Sequence, residues 1–190
     1  LAARELDCVP LAARLAALLS ERDLLTSARG DGGSRGERDP DIRSRLELLQ
    51  PGGRAGAPAA AVQQLQRAAR ALEATLPAPA PAPRPGTSGA IGVAALPGAL
   101  LALAFPDRIG QRREGAGGRY LLANGRGAAF AARVSLAREP MIVAVELDDR
   151  DREARIDLAV PLSAAALEVL FAGQIVSEER FGWEQDCEAV

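Results

Sequence analysis

The side chain most able to do chemistry in this sequence is arginine. All 23 basic residues are Arg, and Lys is absent. Between Phe105 and Val134 six arginines (108, 112, 113, 119, 126 and 133) stand against only Asp107 and Glu114. The stretch begins apolar, turns basic, then reaches the turn dipeptide Asn124-Gly125. Chemically this describes a cationic surface at a junction between two kinds of structure. Formal net charge over the whole chain is −2, which by itself predicts no polyanionic partner, so the local excess is what counts. Arg, Ala, Gly and Pro are abundant together, which is a compositional bias of the whole chain rather than a choice made at one site.

What is missing narrows the function further. With no Lys there is no Schiff-base amine and no phosphate-loop lysine. With no His there is no imidazole metal ligand, no Ser-His or Cys-His nucleophile pair and no histidine acid–base catalysis. Cys8 and Cys187 lie at opposite ends and form neither a disulfide framework nor a zinc motif, which suits a reducing, cytoplasmic setting. The carboxylates Asp148, Asp149 and Asp151, and the pair Glu178-Glu179, could in principle support acid–base or metal chemistry. Nothing gives them ligand spacing, and they read as solvated turns, so no metal site is assigned.

Hydrophobic residues make up 48% of the 190 and aromatics 3%, so the core must be aliphatic. Leu11, Leu15, Leu18 and Leu19 mark an apolar helical face within residues 1–25, with Pro10 opening or dividing the helix. Residues 26–38 are polar and Gly-rich, the composition of a mobile loop. Asp39-Pro40 reads as the cap and first residue of a helix whose buried stripe is Ile42, Leu46 and Leu49. A third helix carries Val62, Leu65, Ala69 and Leu72 on one side. Residues 77–85 (PAPAPAPRP) form a stiff polyproline linker. Ile91 to Phe105 reads as a buried helix broken by Pro97, too short and too interrupted to span a membrane.

Strands follow. Gln111 to Gly118 reads as a polar loop. Asn124-Gly125 joins Tyr120–Ala123 to Arg126–Phe130 as a hairpin, because both residues accept the positive φ of a tight turn. Met141–Leu147 and Glu153–Val160 read as strands, the latter alternating with Ala154, Ile156, Leu158 and Val160 on one face and Glu153, Arg155 and Asp157 on the other. Ser163 caps a helix through Phe171, and residues 175–183 and 187–190 return to strand. Three strands, a helix and two more strands is the order of an OB-fold barrel. On this reading the class is α+β: a helical bundle over residues 1–105, then an OB-like antiparallel β-barrel over 106–190 with its last strand truncated. A plainer α+β domain shares the order.

Three stretches together resemble one family. They are Leu15-Ala-Ala-Leu-Leu-Ser-Glu-Arg-Asp-Leu-Leu25, Leu101-Ala-Leu-Ala-Phe-Pro-Asp-Arg-Ile-Gly-Gln-Arg-Arg113 and Arg119-Tyr-Leu-Leu-Ala-Asn-Gly-Arg-Gly-Ala128. In this order they look like bacterial HrpB-type DEAH-box ATP-dependent helicases, with Phe-Pro-Asp-Arg-Ile and Asn-Gly-Arg-Gly-Ala as the most specific elements. The resemblance covers nearly the whole chain but only the middle of such a protein: the helical helicase-associated (ratchet) region and the OB-like domain after it. The Gly-x-x-x-x-Gly-Lys-Ser/Thr loop and the DEAH box are absent from this sequence.

The resemblance therefore implies an accessory segment that closes over the RecA-like motor domains of a parent chain and guides single-stranded RNA or DNA. ATP and Mg would belong to the motor; the segment itself would carry no cofactor and no catalytic residue. In this role Arg108, Arg112, Arg113, Arg119 and Arg126, with Asn124 shaping the turn, are the candidate nucleic-acid-binding residues. Cations neutralise backbone phosphates and arginine does so bidentately, while bases stack on planar side chains. Tyr120 is the one aromatic beside this cluster. A competing function is a protein-docking module with no affinity for nucleic acid, its arginines bridging to other domains. A free-standing enzyme ranks last.

Overall fold

The computed structural model describes residues 6–20, 39–50, 58–75, 91–115, 117–148 and 153–176. The expected loop at 26–38, the linker at 77–85 and the strands at 177–190 lie outside the described residues.

Helix α1 (Val9–Ser20) buries Ala13, Leu15, Ala17 and Leu18, and Pro10 sits in its first turn, where a missing N–H costs nothing. Helix α2 (Ile42–Leu48) buries Ile42 and Leu46, with Leu49 just beyond. Its cap is Asp41, whose carboxylate accepts the Arg43 N–H at 2.9 Å. The cap expected at Asp39 thus moves two residues on, and Pro40 stays outside the helix. The reason is tertiary: the Pro40 carbonyl accepts the Ala159 N–H at 2.8 Å, which commits the segment to extended pairing. Helix α3 (Ala59–Thr75) buries Ala61, Leu65 and Ala69 and packs along α1, while Leu72 is 38% exposed. After a 3₁₀ turn at Val93–Ala95 comes α4 (Leu96–Ala104). Pro97 opens this helix and divides it from the 3₁₀ turn before it.

A second 3₁₀ turn, Pro106–Arg108, leads into five strands: β1 (Ile109–Arg112), β2 (Arg119–Leu122), β3 (Gly127–Phe130), β4 (Met141–Asp148) and β5 (Ala154–Pro161). They close into a barrel in the order β1-β2-β3-β5-β4, with β3 and β5 parallel and every other pair antiparallel. This is an OB-like barrel after a helical region, the class expected, although the order of its elements differs from the expected one. Two details differ from expectation. The barrel is mixed rather than antiparallel, and the described strands already close it by Pro161, without a strand from the end of the sequence.

The miscount began at β1. Residues 111–112, read as loop, are strand. Ile109-Gly-Gln-Arg112 has too little alternation to announce itself. Its Gly110 is closely fitted, since a Cβ there would lie 3.0 Å from Leu122 Cδ2 and 3.4 Å from Ile142 Cγ1. The helix α5 (Ala164–Phe171), capped by Ser163 as expected, follows the barrel rather than dividing its strands. Ile175 and Val176 form no strand and are exposed.

Two apolar clusters hold these parts. One fills the barrel with Tyr120, Leu122, Ala128, Leu136, Ile142, Ala144, Ala154, Ile156 and Ala159. The other runs from the helices, through Leu15, Leu18, Ile42, Leu46, Leu65 and Leu101, onto Val143, Val145, Leu158 and Val160 of the outer face of β4 and β5. Those two strands are thus covered on both faces, which explains the unbroken burial from Ile142 to Val145. Contact is closest at Gly98 of α4, where a Cβ would lie 2.2 Å from the Pro161 carbonyl oxygen.

Candidate nucleic-acid interface

The alternation of β2 decides which side chains are available. Tyr120 and Leu122 point into the barrel, and Arg119 and Leu121 point out. Arg112 is opposite Tyr120 and Gln111 is opposite Leu121. The Arg113 N–H donates to the Arg119 carbonyl, which brings these two residues together at the mouth of the β1–β2 connection.

The six candidates fall into two groups at opposite ends of the barrel. Arg112, Arg113 and Arg119 gather where β1 ends and β2 begins. Arg108, Asn124 and Arg126 gather at the other end, where the Asn124 N–H donates to the Asp107 carbonyl and the Leu122 N–H to the Arg126 carbonyl. Three rises along β2 separate the groups, about 10 Å of backbone.

Several of the six have structural work. The Arg108 guanidinium donates to the Val145 carbonyl at 2.7 Å and lies 5.2 Å from the centre of the Phe105 ring. Val145 sits at an irregularity in the β4–β5 register, between Ala144 and Glu146, so its carbonyl lacks a regular ladder partner and Arg108 supplies one. Asn124 is a turn former: its side-chain oxygen accepts the Arg126 N–H at 3.0 Å, and Gly125 has φ +83. Arg112 reaches across to donate to the Arg138 carbonyl at 2.9 Å. Arg119 pairs with Glu153 at 3.3 Å, with its side chain still 57% exposed. The exposed Arg113 side chain makes no hydrogen bond or ion pair among the described residues.

Sequence reading missed the connection between β3 and β4. A 3₁₀ turn, Ser135–Arg138, plugs the end of the barrel with the buried Leu136. Tyr120 fastens it, its hydroxyl lying 2.7 Å from the Leu136 carbonyl and 2.9 Å from that of Glu139. This brings Arg138 beside Arg112 and adds two exposed arginines, Arg133 and Arg138, to the β1–β2 end. The signal was present in Arg133, which was counted with the basic stretch and left out of the candidates. Arg138 was hidden by lying beyond an apolar run.

The one aromatic beside the cluster is not available. Tyr120 has no exposed surface, packs edge-on against Phe130 at 5.8 Å, and its hydroxyl is pushed up to about 12 by burial, with Glu139 adding to the rise and Arg112 opposing it. It cannot stack on a base.

No family model matches the sequence, and no curated protein matches it. Among solved structures, the crystal structure of the E. coli DExH-box NTPase HrpB superimposes on 90% of this chain with a TM-score of 0.52 and 25% identity. The chain is similar to a segment of HrpB. It spans 18% of that protein's length. A second structure, of the Escherichia coli DEAH/RHA helicase HrpB, matches 84% of this chain and 18% of its own at 24% identity and a TM-score of 0.48. The stretch shared with HrpB includes the helical region and the barrel together, since so much of the chain is covered.

Like the arginines, the carboxylates are engaged with the fold. Asp148 and Asp157 both pair with Arg155, at 3.1 and 2.8 Å. Asp149, Asp151, Glu178 and Glu179 lie outside the described residues. Among the described residues no group of three or more His, Cys, Asp or Glu could hold a metal ion, and no helix is long and apolar enough to cross a membrane.

Proposed function

We propose that this chain is an accessory segment of an ATP-dependent helicase, closing over the motor domains of its parent and guiding single-stranded nucleic acid, RNA before DNA. The observation that carries this reading is the joint likeness of the helical region and the OB-like barrel to one segment of HrpB. ATP and Mg would be held by the motor, and hydrolysis would need it. The arginine-rich end of the barrel supplies the chemistry a backbone requires: fixed positive charge that displaces counterions from phosphates.

The test is fluorescence anisotropy of a labelled single-stranded RNA titrated with the 190-residue chain at low and physiological salt. Binding that weakens with salt, and weakens again in Arg112→Ala/Arg113→Ala, supports the reading. A folded chain with no affinity at low salt refutes direct guidance and leaves docking.

Docking is the second reading, and one observation favours it. Arg108, Arg112 and Arg119 each already bond within the chain, and the aromatic beside them is buried. On this reading the exposed cations meet acidic patches of the motor domains. Co-purification with those domains, in the absence of nucleic acid, separates the two.

A further inference from the structure

The barrel presents two different faces to a polyanion. On the outer side of β2, β3 and β5 the charges are spent: Arg119 meets Glu153, and Arg155 meets Asp148 and Asp157. An anion arriving there would have to displace these carboxylates. The β2–β3 turn is equally unsuited, because Asn124 holds the turn and Arg108 holds the register irregularity in β4.

The end formed by the β1–β2 and β3–β4 connections is different. Arg112, Arg113, Arg119, Arg133 and Arg138 converge there against Glu114 and Glu139, and four of the five keep their guanidinium heads clear of any carboxylate partner among the described residues. Three observations fix the convergence independently: Arg112 Nη1 donates to the Arg138 carbonyl, the Phe130 N–H donates to the Gly118 carbonyl at 3.2 Å, and a Cβ on Gly118 would lie 3.1 Å from that of Ala137. Arg133 stands three residues past Phe130 and two before the 3₁₀ turn, so the chain itself confines it to this end. Gly118, with φ +80, makes the close crossing of the two connections possible.

The geometry points to this end as a phosphodiester-backbone site, in which Arg113, Arg133 and Arg138 contact phosphates while Arg108, Asn124 and Arg126 serve the fold. Tyr120 is its positioning residue, since its hydroxyl pins the turn that carries Arg138. The assignment rests on the proposed function and goes beyond it, naming residues in the β3–β4 connection and demoting three of the original six. With no exposed aromatic in the cluster, the grip is on the backbone and takes any base.

The test uses labelled single-stranded poly(U) RNA and the 190-residue chain, comparing Arg133→Ala/Arg138→Ala with Arg126→Ala. Removing two phosphate contacts should lower the slope of log affinity against log salt by about 1.4 and weaken low-salt binding about tenfold. Arg126→Ala should bind as the parent does. Arg133→Lys/Arg138→Lys should recover most of the loss, which separates charge from damage to the turn, and an unlabelled abasic single strand should compete as well as poly(U). If the double alanine variant binds like the parent, or Arg126→Ala weakens binding as much, the assignment is overturned while the proposed function stands. If the parent chain binds no RNA at all, both fail together.

Discussion

Tyr120 is the single tyrosine of this chain, so tyrosinate absorbance reports on one buried hydroxyl and nothing else. Free tyrosine ionises near pH 10; burial pushes this one up to about 12. The folded state therefore holds its proton more tightly than the unfolded state. The stability this represents is complete below about pH 10 and is lost as pH rises through the folded value. At about 1.4 kcal/mol per unit, the two-unit gap amounts to about 3 kcal/mol withdrawn between pH 10 and 12. Tyr120→Phe lacks the titration but loses the hydroxyl's bond to the Leu136 and Glu139 carbonyls, the former keeping the Glu139 N–H, a loss of about 1 kcal/mol at neutral pH. The two denaturation curves should therefore converge with rising pH: the parent chain leads at pH 8, and the lead shrinks or inverts by pH 12. The Cys8 thiol, also raised by burial and by nearby Asp7, is common to both proteins and cancels. Urea unfolding at stepped pH, with the ultraviolet titration alongside, makes the measurement. A native tyrosine that ionises near pH 10, or a stability gap independent of pH, would refute the argument that this hydroxyl is sealed inside the barrel.

Three further outcomes follow from the packing. Gly98→Ala gains roughly 1 kcal/mol of helix propensity but drives a methyl to 2.2 Å from the Pro161 oxygen, and overpacking of this kind costs roughly 1–3 kcal/mol; a lower melting temperature is expected, and a rise would show that α4 is not seated on β5. Arg108→Ala removes the partner of the Val145 carbonyl and the contact with Phe105, and should cost about 1–3 kcal/mol in chemical denaturation while Arg113→Ala changes stability by less than about 0.5 kcal/mol. Asp41→Ala loses a helix cap and the 2.6 Å ion pair with Arg43, with an expected loss of about 1–2 kcal/mol; hydrogen exchange should show the Arg43 amide losing protection first.

Local chemistry was legible wherever local forces decide the structure. Asn124-Gly125 announced its hairpin, Ser163 its helix, and the alternation from Glu153 to Leu158 its strand, although the expected single apolar face divides: Ala154 and Ile156 enter the barrel, while Leu158 and Val160 meet the helices. Where distant contacts decide, the signal vanished. Nothing near Ile109 says strand; only the bare Gly110, fitted against Leu122 and Ile142, reveals why it pairs. Asp39 looked a better cap than Asp41 until β5 claimed the Pro40 carbonyl. The site followed the same rule. Clustering of arginine in sequence was visible, but its division into two ends depends on strand direction, and the inclusion of Arg138 depends on the Tyr120 hydroxyl, which bonds a carbonyl sixteen residues later in the same turn. That Tyr120, the one aromatic beside the cluster, is sealed inside the barrel depends on which face of β2 the closed sheet turns inward.

The pairing of Pro40 with Ala159 also bears on how the chain is made. During synthesis the segment before α2 leaves the ribosome long before β5 does, and α2 and α4 must wait for the strands that cover them. Until then Ile42 and Leu46 lack the barrel side of their packing. Contacts so distant in sequence are closed late and slowly, because the intervening loop must first surrender its freedom. Birth of this protein is thus a vulnerable interval in which a finished helical half carries an apolar wound, and a truncated product ending before β5 would be a natural client for chaperones.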